Sequence, residues 1–506
     1  MSRLRARPVP PSRRARAALA AVWLASCAVN PVTGRPEVSL ISEESEAKAG
    51  AQAAREVDAT LGVVDDAALA SYVTQVGERV AAQPPRKGIR YRFQIVDESE
   101  PNAFALPGGY VYVSRGILAL LNGEDELACI LGHEVAHVAA RHAAQRISKM
   151  GPLAVLTAIP GAVTGIVFPR IGALVGGVGS LASEAVSAPY SRSQESDADR
   201  IGQQMAAAAG YDPLALARAF DSLGREEELS RGAERRPSWF DSHPASAERA
   251  KESVVYAREL TRAEGAPIAA GRNGFVERLD GLVVGDPAAK GVFSGRTFLH
   301  PDLGFHVRFP EGWKAENSPS AILATSKPGD AAAIVRIVAE GDDPMAGARA
   351  LEARANAPVV RDTRTVTVGG RPAARTELSA RTDDGPVSAY LTWLAHGGRI
   401  YEIAGITSPA RAATLRASFD EVAASFGPLE PVERASIRED RLRLVTARPG
   451  ESAQSLAERA RSSWSPSYVA MANALGGAAS ASGGERIKVA VTEPYRARPA
   501  AKPGSP

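Results

Sequence analysis

Cysteine is scarce in this chain, with 2 residues among 506. Two cysteines cannot form a disulfide framework or a four-cysteine metal site. An excess of one charge sign is also missing. Six of the 60 basic residues and none of the 57 acidic residues lie in residues 1–26, so the remainder has 54 bases, 57 acids and a net charge of −3. This near-neutral body argues against nucleic acid as the main partner. The length predicts about three domains.

The amino terminus is basic and then apolar, as in an export signal. The apolar run at 17–25 is far shorter than the ~20 residues that span a bilayer. It ends at Leu24-Ala25-Ser26-Cys27, which resembles the lipobox of bacterial lipoproteins, whose cysteine is acylated after cleavage. We therefore expect a lipoprotein signal peptide at 1–26 and a lipidated Cys27, with an ordinary signal peptide as the alternative. Because residue 28 is alanine, the resemblance implies sorting to the outer membrane and a periplasmic location.

Changes in composition divide the rest of the chain. Apolar residues at helical spacing, with two short segments in which apolar and polar residues alternate, predict a mainly α-helical domain with a small β-sheet. Further along the chain, more alternating segments predict an α+β domain with an antiparallel sheet. Residues 151–189, rich in Gly, Ala and Val, are expected to form packed or partly mobile helices, with an active-site flap or a membrane-touching surface as the alternative. The predicted multidomain order is the helical domain at 27–261, a linker at 262–292, the α+β domain at 293–428, a small α/β module at 429–495 and a disordered tail at 496–506.

The strongest chemical signal is His133-Glu134-Val135-Ala136-His137, within a helix predicted over 124–149. Residues four apart share a helix face, so both imidazoles can bind one ion. Zn²⁺ accepts imidazole nitrogen, and a catalytic site has three protein ligands and one open position. Glu134 flanks that face, where its carboxylate can take the proton of an attacking water. The pattern is expected about 0.01 times by chance in a chain of this composition, so it predicts one zinc ion per chain.

Spacing alone leaves the third ligand open among His243, a downstream acid and Cys129. Glu195 is the best acid, because Glu195 and Asp199 are four apart on a predicted helix and both can face the first helix. Glu195 would then bind zinc, while Asp199 would accept a hydrogen bond from a ligand imidazole.

Three neighbouring residues are predicted to have other roles. Asp197 is expected to be a solvated acid, and Cys129 is better interpreted as a small buried core residue. His142 is five positions beyond His137, off the ligand face, and is predicted to be structural.

Several stretches resemble the gluzincin metallopeptidase family that includes the HtpX heat-shock peptidase and the CAAX prenyl endopeptidases. The similarity is greatest to its periplasmic, BepA-like lipoprotein branch, and it covers about residues 27–260. The transmembrane helices of HtpX-like members and the tetratricopeptide repeats of BepA have no counterpart in the sequence. The matching stretches are 27–34, 102–109, 132–137, 195–199, and Ser242-His243-Pro244 with Arg249.

The resemblance implies that Glu195 is the third zinc ligand. It also implies that extended substrate pairs with a strand at Asn102, Ala103 and Phe104. Pairing through the backbone tolerates many substrate sequences.

For His243 and Arg249 the resemblance implies catalytic roles. His243 would lie near the zinc and cap it, holding the enzyme in check, and the Arg249 guanidinium would steady oxyanion charge. The alternative for both is structural: a helix-start His-Pro pair and a surface arginine.

The carboxy-terminal half carries weaker resemblances. Residues 305–313 look like the opening of PsbP-like or Mog1-like α+β domains, for which a binding or spacer role is expected. Residues 443–490 resemble a LysM-like module, a type that often binds peptidoglycan, and a plain structural appendage is the alternative.

Together these features predict a zinc-dependent endopeptidase that hydrolyses misfolded or unassembled envelope proteins. Its expected partners are polypeptide substrates, the inner leaflet of the outer membrane through lipidated Cys27, and peptidoglycan, with no nucleic acid. The alternative is a non-catalytic periplasmic chaperone or peptidoglycan-associated scaffold.

Overall fold

The structure is a computed structural model that describes residues 27–30, 32–38, 42–82, 85–149, 189–230, 239–244, 247–353, 363–382, 385–475 and 481–497. The predicted signal peptide, residues 151–188 and the tail from 498 lie outside the described residues. The described chain forms two compact units. The first contains the residues up to Leu279 together with 470–475, and the second contains 280–469 and 481–497.

The first unit is mainly helical and has two small sheets. The strands are β1 Cys27–Val29, β2 Pro36–Val38, β3 Arg92–Val96, β4 Ala103–Leu106 and β5 Tyr110–Ser114. Strands β1 and β2 form an antiparallel hairpin, while β5 pairs in parallel with β3 and antiparallel with β4, so β4 is an edge strand. The helices are α1 Glu43–Thr60, α2 Ala67–Val80, α3 Arg115–Leu120, α4 Glu124–Ala139, α5 His142–Lys149, α6 Arg192–Ala208, α7 Ala215–Ser230, α8 Trp239–Ser242, α9 Ala247–Glu259 and α10 Gly271–Glu277.

Helix α4 is the centre of the first unit. Its first turn carries Glu124, Asp125 and Glu126, whose charges favour the amino end of the helix dipole. Every residue from Glu126 to Ala139 is buried, so α4 is enclosed on all sides rather than lying on the surface. Helices α2, α6 and α7 and strand β4 pack around it.

Two glycines set the contact between α4 and α6. A Cβ atom on Gly132 would lie 2.9 Å from the carbonyl oxygen of Gly202, and one on Gly202 would lie 2.7 Å from the amide nitrogen of His133. Contacts this short with backbone atoms leave no room for a side chain, so glycine at both positions lets the two helices approach closely.

The single helix predicted over 124–149 is wrong in one respect. The structure breaks it into α4 and α5 at Arg141, whose φ of 56° lies in the left-handed region. Glycine is the residue that usually adopts this conformation, and arginine rarely does. Because the break falls at an arginine, the sequence does not signal it. The Nε atom of Arg141 donates to Glu46 Oε2 at 2.8 Å, which holds the buried corner.

The second unit is rich in antiparallel sheet, as predicted. The strands of this unit are β6 Val283–Val284, β7 Val292–Ser294, β8 Thr297–His300, β9 Phe305–Arg308, β10 Lys314–Asn317, β11 Ile322–Thr325, β12 Ala331–Glu340, β13 Arg364–Val368, β14 Arg371–Thr382, β15 Gly385–His396, β16 Arg399–Thr407, β17 Gly427–Pro428, β18 Arg438–Thr446 and β19 Arg486–Pro494. One seven-stranded sheet has the order β10-β11-β12-β16-β15-β14-β13, and a four-stranded sheet has the order β17-β9-β8-β7. The helices of this unit are α11 Met345–Glu352, α12 Pro409–Ser425, α13 Pro431–Ser436 and α14 Ala453–Ala460. Helix α15, Pro466–Ala472, begins in this unit and ends in residues assigned to the first.

The segment predicted as a linker, 262–292, is structured. It contains α10, where Phe275 and Val276 are fully buried, and strand β6, which pairs with β18. Its glycine and alanine content predicts a flexible connection. The buried side chains of Phe275 and Val276 and the pairing of β6 give it a defined structure instead.

The seven-stranded sheet has an apolar core on each face. Phe305, Tyr401 and Phe426 belong to one core, and Trp393 and Ile400 belong to the other. Within the described part of the chain, no helix combines the length and apolar character needed to cross a membrane.

Candidate metal centre

Helix α4 presents both motif histidines on one face. One helical turn separates His133 from His137, and their Nε2 atoms lie 3.0 Å apart. Both rings are buried. The tight Gly132–Gly202 contact lies directly beside His133, so the crossing of α4 and α6 is fixed next to these imidazoles.

Helix α6 brings an acid to the two histidines. A capping box formed by Ser191 and Gln194 fixes the start of the helix, immediately before Glu195. The Glu195 carboxylate lies 3.4 Å from His137 Nε2 through Oε1 and 3.7 Å from His133 Nε2 through Oε2. The acid predicted as third ligand therefore joins the two imidazoles.

A third imidazole enters from the short helix α8. His243 follows that helix, and its Nδ1 atom lies 3.2 Å from both Glu195 Oε1 and His133 Nε2. The Trp239 indole stacks on the His243 ring with centroids 4.5 Å apart and an interplanar angle of 12°, which fixes the ring plane.

The four donor groups fit a single divalent metal ion. One ligand atom from each of His133, His137, Glu195 and His243 lies within 4.8 Å of the others, and all four side chains are buried. Ligands about 2.0–2.1 Å from a tetrahedral ion are about 3.3 Å from one another. The neighbouring donor atoms are 3.0–3.7 Å apart. Three nitrogens and one carboxylate, buried and convergent, are the donor set of a transition-metal site.

Two further residues hold this donor set. Asp199 Oδ1 lies 3.0 Å from His133 Nδ1, on the side of the ring away from the cluster. Arg249 Nε and Nη2 donate to the two oxygens of Asp199 at 2.8 and 2.9 Å, and Arg249 Nη1 lies 2.7 Å from Glu195 Oε2. Burial raises the pKa of Asp199, but hydrogen bonds from His133 and Arg249 outweigh it and hold that pKa below its usual range. Burial also raises the pKa of Glu195, but the effects of His243, His133 and Arg249 outweigh it and lower that pKa.

Glu134 is placed differently from the other acid. Its side chain is fully buried, and within the described residues neither carboxylate oxygen has a hydrogen-bond partner. His243 Nε2 lies 3.6 Å from Glu134 Oε1. Burial raises the pKa of Glu134, although His243 and His133 oppose the effect. A buried carboxylate this close to one of the donor rings is a candidate general base.

Comparison with known proteins supplies the family. A sequence profile described as Peptidase family M48 matches residues 67–254, which include every residue of the cluster. The chain contains a peptidase family M48 domain.

Named relatives are similar to part of the chain. Mitochondrial metalloendopeptidase OMA1 of Schizosaccharomyces pombe is 32% identical over 232 residues, which are 44% of this chain and 64% of that protein. The beta-barrel assembly-enhancing proteases of Yersinia pestis and Escherichia coli K12 are 27% and 25% identical over 235 residues, which are 46% of this chain and 47% of those proteins. The chain thus spans between about half and two thirds of these relatives.

Similarity to solved structures is remote. Cyanobacterial PsbP from Synechocystis sp. PCC 6803 is 17% identical, with a TM-score of 0.23, over 27% of this chain and 95% of that chain. A score this low supports no assignment, so the PsbP-like or Mog1-like character of 293–428 and the LysM-like character of the last module stay predictions.

The predicted substrate strand is an edge of the M48 domain's sheet. Strand β4 begins at Ala103, pairs on one side with β5 and packs against α4. Ala103 and Phe104 are buried, and Asn102 directly precedes the strand. Among the described residues β4 pairs with β5 alone, and its pairing with substrate stays a prediction.

The other residues considered as ligands lie apart from the cluster. Cys129 is buried, its Sγ lies 3.6 Å from the Asp212 carbonyl oxygen, and burial raises the pKa of its thiol. Asp197 pairs with the exposed Arg35 at 3.2 Å. Cys27 lies in β1, and its side chain is outside the described residues.

Sequence reasoning missed two rings that contact His137. Tyr190 stacks on it with centroids 3.9 Å apart, and His142 Nδ1 lies 2.9 Å from His137 Nδ1. Tyr190 precedes the cap of α6, a position that carries no metal-site signal. His142 was predicted to be off the ligand face because the helix was assumed to continue past Arg141.

Proposed function

We propose that the M48 domain is a zinc-dependent endopeptidase that binds one zinc ion per chain. His133, His137 and Glu195 would bind the ion, and His243 would complete the tetrahedral set in the resting state. The observation that carries the proposal is the convergence of these four buried donors beside the buried carboxylate of Glu134. When bound, zinc would polarise a peptide carbonyl and lower the pKa of water to about 7.

Glu134 would act as the general base. Its carboxylate would take the proton of a water that attacks the peptide carbonyl, and would then deliver that proton to the leaving nitrogen.

Asp199 and Arg249 would hold the ligands rather than meet substrate. Asp199 lies against the outer nitrogen of His133, where it would fix the tautomer that leaves Nε2 free for metal. Arg249 was expected to steady the oxyanion, but its contacts with Asp199, Glu195 and the Pro244 carbonyl favour a role in holding both carboxylates.

The substrates would be unfolded segments of envelope proteins. Support comes from the edge strand β4, which would bind an extended backbone with little regard for sequence. The relatives named beta-barrel assembly-enhancing proteases favour misfolded or unassembled outer-membrane proteins. The protein would work in the periplasm, anchored to the inner leaflet of the outer membrane through lipidated Cys27, with the module at 429–495 contacting peptidoglycan.

The test uses purified protein and an unfolded protein substrate such as reduced casein. Glu134→Gln should retain zinc and lose about 10²–10⁴-fold of the cleavage rate, since general-base catalysis contributes that much. Glu252→Gln, which changes an exposed acid of α9, should cleave at the wild-type rate. Cleavage by Glu134→Gln at the wild-type rate would refute the mechanism.

A comparison in cells separates the enzyme from a chaperone or scaffold. Periplasmic and outer-membrane proteins should accumulate in a strain that carries Glu134→Gln, relative to wild type. A normal envelope proteome in that strain, with abnormalities only when the gene is deleted, would favour the non-catalytic alternative.

A further inference from the structure

His142 lies on the opposite side of His137 from the ligand cluster. The Nε2 atom of His137 faces His133 and Glu195, whereas its Nδ1 atom lies 2.9 Å from His142 Nδ1. The two ring centroids are 4.9 Å apart with an interplanar angle of 74°, and His142 is 1% exposed. His142 is therefore a buried polar group directed at the outer nitrogen of a predicted metal ligand.

The break at Arg141 brings His142 to this position. In a continuous helix, a residue five positions beyond His137 would be rotated by about 140° away from it. The left-handed backbone of Arg141 ends α4 and redirects the chain, so the His142 ring returns to His137.

The corner that carries His142 is held from several directions. The Ala140 carbonyl, at the end of α4, accepts hydrogen bonds from Asn30 Nδ2 at 2.8 Å and Gln145 Nε2 at 2.9 Å. The Glu46 carboxylate accepts from Arg141 Nε at 2.8 Å. Non-glycine residues rarely adopt this left-handed conformation, and these contacts maintain it.

The proton positions follow from ligand chemistry. If His137 binds metal through Nε2, that nitrogen carries no proton, and the proton of the neutral ring is on Nδ1. Two Nδ1 atoms at 2.9 Å then need one donor and one acceptor. His137 is the donor, so His142 accepts through Nδ1 and carries its own proton on Nε2.

We propose that His142 is a positioning residue that fixes the tautomer and ring orientation of the metal ligand His137, as Asp199 does for His133. This inference rests on the proposed metal site. The two motif histidines would differ in their supports: the partner of His133 is a carboxylate paired with Arg249, and the partner of His137 is an imidazole. The neutral acceptor orients His137 without adding a fourth buried carboxylate to a site that already holds those of Glu134, Glu195 and Asp199.

The first test measures zinc affinity by competition with a chromophoric chelator. Removing a group of this type usually weakens metal binding 10–100-fold, and we expect that loss for His142→Ala. His142→Gln should recover most of the affinity, because its Oε1 atom can accept the His137 proton. Glu252→Gln, which changes an exposed acid of α9, is the control and should bind zinc as wild type does.

Thermal unfolding of the metal-free proteins separates positioning from packing. We expect His142→Ala and His142→Gln to unfold at similar temperatures when metal-free and to differ in zinc affinity. Equal zinc affinity in wild type and His142→Ala would overturn the inference and leave the proposed function standing. Absence of zinc binding by the wild type would overturn the proposed function itself.

Ring-nitrogen NMR of the zinc-loaded wild type gives a test that needs no variant. The inference predicts a proton on Nδ1 of His137 and on Nε2 of His142. A proton on Nδ1 of His142 in the zinc-loaded protein would overturn it, because that ring could not then accept.

Discussion

Asp199 Oδ1 lies 3.0 Å from His133 Nδ1, and the same carboxylate accepts two hydrogen bonds from Arg249. The chain Arg249–Asp199–His133 thus runs from a buried cation to the outer ring nitrogen of a proposed metal ligand. The carboxylate position is fixed by the guanidinium, and the imidazole position is fixed by the carboxylate.

Removing the Asp199 charge should weaken zinc binding. We expect Asp199→Asn to lower zinc affinity by about tenfold or more, because the outer nitrogen of His133 loses its anionic partner. Asp197→Asn is the matched control, since Asp197 is two residues away and pairs with exposed Arg35. Chelator competition measures both. Equal losses in the two variants would contradict the role of Asp199.

The contact between α4 and α6 should be intolerant of a methyl group. In Gly202→Ala the new Cβ would lie 2.7 Å from the His133 amide nitrogen, so the helices must move apart and carry Glu195 away from the imidazoles. We expect a loss of about 1–3 kcal/mol in the free energy of unfolding, together with weaker zinc binding.

Gly224→Ala is the control for that substitution. Gly224 lies within α7, and nothing lies within 4 Å of the position that an added Cβ would take. Alanine there should stabilise the protein by up to about 1 kcal/mol. Denaturant unfolding and zinc competition test both variants. Wild-type stability and affinity in Gly202→Ala would show that the helix crossing does not position the site.

Arg249 should be essential for stability as well as for the site. Arg249→Met leaves Asp199 and Glu195 buried without their cation, and breaking a buried pair in this way costs about 3–5 kcal/mol. Arg35→Met breaks an exposed pair and should cost at most about 1 kcal/mol. Denaturant unfolding of the metal-free proteins measures both, and a loss below about 1 kcal/mol for Arg249→Met would refute the assigned role.

His243 should restrain the resting enzyme. Its Nδ1 atom occupies the fourth corner of the donor set, where substrate or water would otherwise bind. We expect His243→Ala to keep zinc through His133, His137 and Glu195 and to cleave a model substrate several times faster. Unchanged or slower cleavage at full zinc content would count against this restraint.

Much of the site could be predicted from sequence because helical periodicity is local. Four-residue spacing places His133 with His137 and Glu195 with Asp199, and the structure brings the predicted ligand atoms together. His142 could not be placed in this way. Its position depends on a left-handed backbone at Arg141 that is stabilised by Glu46, 95 residues earlier in the chain.

The domain organisation was predictable to a lesser degree. Alternation indicated antiparallel strands in the second unit, and they are present. The strand order and the pairing of β6 with β18 depend on contacts between residues far apart in sequence, about which local patterns carry no information. The same limit explains why 262–292 was predicted as a linker.

Zinc content and coordination test the central claim most directly. Elemental analysis and zinc X-ray absorption spectroscopy of the purified protein should give one zinc per chain, bound by nitrogen and oxygen ligands at about 2.0–2.1 Å. A double variant, His133→Ala with His137→Ala, should contain none. A wild-type protein without stoichiometric zinc, or a double variant that binds zinc as the wild type does, would contradict the account.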